Sequence, residues 1–135
     1  MYYIIYTIIR IYVKLHIKMK LKPDELLKLL SDTTRLRSLM LLLEKGELCV
    51  CELTYALDEI QPKISRHLAA LRENQVVLVR RSGQWIYYRI NPQLPGWAGD
   101  VLNATLTGMK RDKRYIEDAR KLKSMPNRPE DRICA

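Results

Sequence analysis

Cysteine and histidine are both scarce here. Three cysteines stand among 135 residues, too few and too odd a number for a disulfide-stapled secreted scaffold, so they read as free thiols in a reducing cytoplasm. The two histidines, His16 and His67, have no adjacent nucleophile. There is no Cys-x-x-Cys, and no cysteine is followed by a phosphate loop and arginine, which leaves no recognisable enzyme site. Long apolar runs are missing as well. The first one stops at Arg10, far short of the roughly 20 residues that cross a hydrocarbon core, and no charged segment precedes it as a secretory signal requires. Acid is in deficit, with 15 Asp plus Glu against 24 Lys plus Arg and a net charge of +9. Polyanions, nucleic acid first, therefore head the possible partners. A disordered basic tail is excluded, because 47% of residues are hydrophobic and only 29% charged.

The length allows one domain. Residues 1–18, MYYIIYTIIRIYVKLHIK, hold no acidic residue and differ in character from the rest of the chain. Three readings of this extension stay open: an added dimer element, translation from a start upstream of a native Met19, or an interfacial anchor. The domain proper is expected over 19–123, with 124–135 as a flexible, solvated tail.

Pro23, Asp24 and Glu25 ahead of a leucine cluster predict a short first helix. Ser31 and Asp32 offer caps to a second, in which Leu36, Leu39, Met40 and Leu43 recur at helical spacing up to Gly46. Val50, Leu53 and Leu57 mark a third. The turn Asp58 to Pro62 then leads into a fourth, a helix-turn-helix spacing. Val76–Val79 and Trp85–Ile90 read as strands joined by a glycine-containing turn. Residues 97–123 resume helical spacing as one helix. The expected class is mainly α (α+β), about five helices plus a two-stranded hairpin.

In the fourth helix Ile64, Leu68 and Leu71 form a buried stripe. At 100° per residue, Arg66 and Glu73 point away from it, with Lys63 and Ala70 on one flank and Ser65 and Ala69 on the other. Residues 61–91 carry six basic side chains (Lys63, Arg66, Arg72, Arg80, Arg81, Arg89) against Glu73 alone, whereas residues 21–60 carry five basic and eight acidic. A bland solvated surface would mix the signs, so the fourth helix and hairpin are the expected face for double-stranded DNA. Lys63, Arg66 and Arg81 are candidates for phosphates, Gln61 and Ser65 for base edges, and Gln84 lies at the hairpin tip beside them. His67, on the shoulder of the stripe, is placed either in a structural hydrogen bond or on a phosphate.

Glu47-Leu48-Cys49-Val50-Cys51-Glu52 opens the third helix and sets two soft ligands close together. The alternative is two small buried residues at a helix start. Residues i and i+2 on a regular helix point about 200° apart, so one ion is expected to reach both sulfurs only where this turn is absent or unwinds.

ELCVCELTYAL, QPKISRHLAALRE and RRSGQWIYYRINP together resemble the ArsR family of winged helix-turn-helix metal-responsive repressors, particularly its arsenite- and antimonite-responsive members, from about Met19 to Trp97. The resemblance implies a homodimer built on the first and last helices, a fourth helix in the major groove, and release from an operator when As(III) or Sb(III) binds Cys49 and Cys51. Thr54 stands where such members often carry a third cysteine, leaving Cys134 or a non-protein ligand to complete the site. A zinc site on the last helix would need histidines there. Cadmium and lead responders add cysteine from an N-terminal arm, and none precedes Cys49. A thiol-redox repressor is a further alternative, weakened by the strain of a Cys-x-Cys disulfide.

Overall fold

A computed structural model describes residues 3–9 and 21–129. Residues 3–9 are helical, with Ile4, Ile5, Tyr6, Ile8 and Ile9 exposed. The main body then runs α1 (Pro23–Leu30), α2 (Thr33–Lys45), β1 (Glu47–Cys49), α3 (Val50–Leu57), α4 (Gln61–Glu73), β2 (Val77–Ser82), β3 (Trp85–Ile90), α5 (Gly96–Met109) and α6 (Lys113–Ser124). Local chemistry sets most of these boundaries. Pro23 opens α1, and Glu25 accepts the Lys22 backbone N–H at 3.3 Å. Asp32 caps α2 by accepting the Arg35 N–H at 3.0 Å, as N-cap carboxylates do. Gly46, at φ +92°, ends it, a backbone value that glycine adopts without strain.

The core gathers Leu39, Met40, Leu41 and Leu42 of α2, Leu53 of α3, Ile64, Leu68 and Leu71 of α4 and Leu102 of α5, all fully buried. The spacing expected of α4 therefore sets its inward face. Gly83, at φ +60°, occupies the first position of the two-residue loop between Ser82 and Trp85, where a tight hairpin demands a positive φ.

The structure corrects the expected element list in two places. The sheet has three strands in the order β1-β3-β2, because Glu47, Leu48 and Cys49 pair antiparallel with Arg89, Tyr88 and Tyr87. Three residues are too few to display alternation, and their partner lies some 40 positions away. The single helix expected over 97–123 is two, broken at Lys110–Asp112, where Asp112 accepts the Arg114 N–H at 2.8 Å and starts α6. With residues 3–9 this gives seven helices among the described residues. None is long and apolar enough to cross a membrane.

Candidate nucleic-acid interface and thiol site

The helix-turn-helix is α3, a turn held by Asp58 in the left-handed region (φ 55°), and α4. On α4 the side chains of Gln61, Arg66, Ala69, Arg72 and Glu73 are exposed, while Lys63 and Ser65 are half-buried beside them. The hairpin continues this surface, since every residue from Arg80 to Ile86 is exposed, Arg81 and Gln84 included. Among the described residues no ion pair engages Arg66, Arg72, Arg81 or Arg89, so these cations face solvent uncompensated. Two basic residues are occupied: Lys63 pairs with Glu59 at 3.0 Å, and the Arg80 guanidinium meets Glu47 at 2.6 Å.

His67 does not join that face. Its residue is buried, and Nδ1 accepts from Nη1 of Arg35 at 3.2 Å while Nε2 stands 3.7 Å from Asp32. Arg35 also donates to the Leu29 carbonyl at 2.8 Å, joining the end of α1, the start of α2 and the middle of α4. Burial, reinforced by Arg35, Arg66 and Lys63 against the opposing pull of Asp32, holds the imidazole below its ordinary pKa. The phosphate role expected of His67 gives way to the structural one, because the shoulder of the stripe turns inward where α2 packs on α4.

The thiols differ from expectation in a more consequential way. Cys49 is the last residue of β1 and the N-cap of α3, with extended backbone (φ −89°, ψ 165°), while Cys51 lies in the first turn. The pair straddles a strand-to-helix boundary, so the 200° divergence of a regular helix does not apply. Their Cα atoms are 5.4 Å apart and the two sulfurs are bonded to each other. One bridging atom would reach both with α3 intact. The expected unwinding of this turn is therefore not needed.

Both carboxylates that the sequence sets beside the thiols are matched by arginines. Glu47 holds Arg80, and Glu52, fully buried, accepts the Cys49 N–H at 3.0 Å and pairs with Arg128 at 2.6 Å. Arg128 belongs to the stretch expected to be a solvated tail, yet its own guanidinium is held at the head of α3. No sequence signal joins residues 76 positions apart. Cys134 lies outside the described residues. Among the described residues, no three His, Cys, Asp or Glu side chains cluster as a metal site.

A helix-turn-helix with an uncompensated basic face, extended by a basic hairpin wing, defines a winged-helix DNA-binding regulator. Residues 32–77 match the model of the bacterial regulatory protein arsR family. The chain is 50% identical over 114 residues, 83% of its own length and 96% of the relative's, to the arsenic resistance transcriptional regulator ArsR2 of Pseudomonas putida. Similar solved structures include the transcriptional repressor BigR of Xylella fastidiosa, with TM-score 0.54, 37% identity and coverage of 62% of this chain and 82% of that one. Another is the antimony-specific transcriptional repressor AntR, with TM-score 0.54, 29% identity and coverage of 66% and 78%. The chain belongs to the ArsR family. It is a helix-turn-helix transcriptional repressor of the arsenic-resistance type, not an enzyme.

Proposed function

We propose that this repressor holds its operator as a homodimer and leaves it when As(III) or Sb(III) bonds to the reduced thiols of Cys49 and Cys51. The observation that carries this reading is the position of the pair. Cys49 ends a strand registered opposite Tyr87 of the wing, and Cys51 begins the first helix of the helix-turn-helix. A metalloid bonded to both sulfurs therefore acts on the wing and on α3, the helix packed against the reading helix α4, together. Linkage then makes each ligand weaken the other by the same factor, about 5- to 150-fold for a coupling of roughly 1 to 3 kcal/mol.

In the DNA complex, Gln61 and Ser65 face base edges, while Arg66, Arg81 and, after exchange from Glu59, Lys63 take phosphates. Gln84 follows the neighbouring backbone from the wing. The exposed apolar face of residues 3–9 is offered to the dimer. A third metalloid ligand is hydroxide or Cys134. Cys134 is six positions beyond the anchored Arg128, a span of at most about 20 Å, so the tail is long enough for its thiol to reach the pair. X-ray absorption of the arsenite complex, by counting sulfur neighbours, decides between two thiolates and three.

The main test starts from a duplex selected out of a random pool and bound under strong reductant. Arsenite is expected to release the wild-type protein, whereas Cys49→Ser and Cys51→Ser bind the duplex equally well and stay bound. Release retained in both variants would refute the site. A second reading, reversible oxidation of the same pair, is favoured by the bonded sulfurs of this structure. It predicts release by peroxide and none by arsenite under reductant.

A further inference from the structure

Ile60 is the most exposed large apolar side chain between residues 21 and 129, at 69%. It stands outside the core cluster, and none of the roles above uses it. It is the N-cap of α4, with extended backbone (φ −73°, ψ 146°) and no capping hydrogen bond from its side chain. A polar residue would gain little there. Pro62 has no N–H to be capped, and the Lys63 N–H already donates to the Ile60 carbonyl at 3.2 Å. The position is thus free of the duty that usually selects serine, threonine or aspartate at a helix start. That freedom does not explain a branched hydrocarbon held in water, which forgoes the gain that burial gives such a side chain.

We infer that Ile60 reads the C5-methyl group of a thymine in the operator. The inference rests on the proposal that α4 enters the major groove with Gln61 at base edges, and it adds a second reading residue beside Gln61. Of the groups that base pairs present in that groove, the ring nitrogens, carbonyl oxygens and amino groups are polar, and the thymine methyl is the apolar one. Isoleucine has no donor or acceptor for the first kind and gains by covering the second. A phosphate is a poor alternative, because Asp58 and Glu59 come immediately before Ile60 and oppose negative charge there. Gln61, the next residue, borders a cavity of about 220 Å³ between the cysteine pair and Gln84, Trp85 and Ile86 of the wing. Ile60 is not among its walls, so its side chain is left open at the end of α4 where such modules make their base contacts. The branched side chain is also stiff about its first torsion, and ordering it on a base costs little entropy.

The test uses the full-length reduced protein and its selected duplex, with each thymine replaced singly by deoxyuridine, which keeps the base pair and removes only the methyl. Competition titrations are expected to find at least one thymine whose methyl is worth about fourfold in affinity, as burial of one such group provides. Ile60→Ala is expected to bind the thymine and deoxyuridine duplexes alike, and Ile60→Val to keep part of the preference. Both variants should melt with the wild type, since the side chain lies outside the core. A preference that Ile60→Ala keeps in full, or no thymine whose methyl matters, would overturn the inference. Exchanging whole base pairs at the same positions separates it from the reading beneath it. If exchanges weaken binding while no deoxyuridine does, the role of Ile60 falls and α4 remains the reading helix; if neither weakens binding, both fall.

Discussion

His67 and Cys49 show how much one side chain's surroundings decide. On the helical wheel His67 sits at the edge of a basic face, where a cation near DNA would be useful. In the fold it lies against Arg35, and burial opposes its charged form. The unfolded chain therefore binds this proton more readily, so the His67 contribution is present above about pH 6.5 and is lost as pH falls below that value towards the lowered folded pKa. Thermal melts of the wild type should show stability falling with pH in this window. His67→Gln should flatten that slope without changing duplex affinity at neutral pH. Cys49 makes the parallel point for reactivity. One residue's shift from helix to N-cap turns two divergent sulfurs into neighbours.

Among the elements, α4 and the hairpin divide the work of binding in the proposed complex. Arg66 projects from the exposed face of α4 with no carboxylate among the described residues paired to it, so Arg66→Ala should weaken duplex binding while metalloid stoichiometry stays the same. Arg81 is exposed on the wing, where the proposed reading gives it a phosphate. Arg81→Ala should weaken binding about equally across sequences and lower the slope of log affinity against log salt by about one per copy. Electrophoretic titration at several salt concentrations checks both, and an unchanged slope would take the wing off the DNA. Core packing is what aims α4. Leu68 is fully buried on its inner face, and Leu68→Ala is expected to cost about 2 to 5 kcal/mol in urea unfolding.

Across the whole molecule, buried ion pairs fasten the C-terminal part to the DNA-reading half. Arg37 of α2 grips Asp118 of α6 through two bonds of 2.6 and 2.8 Å and also donates to the Leu57 carbonyl at the end of α3. Removing one partner strands the other away from water. Asp118→Ala should therefore lower unfolding free energy by about 3 kcal/mol. Arg128 and Glu52 make a second fastening at the thiols themselves. Arg128→Ala should destabilise by about 2 to 3 kcal/mol, and adding Glu52→Gln should recover part of the loss, because the stranded charge is then gone. Additive losses would mean the pair is uncoupled.

Local patterns carried the reading of α1 to α4, the hairpin and the exposed basic face, because helix caps, apolar periodicity and charge segregation are properties of neighbouring residues. The same patterns drew attention to Cys49, Cys51, Gln61, Ser65, Arg66 and Arg81. They were silent wherever the cause lies far along the chain. Pairing with β3 makes Glu47–Cys49 a strand, an Asp112 cap splits the last helical stretch, Arg35 draws His67 inward, and Arg128 returns to Glu52. Such contacts depend on which surfaces meet once the core closes. That closure brought the two sulfurs together and set a cavity between them and the wing.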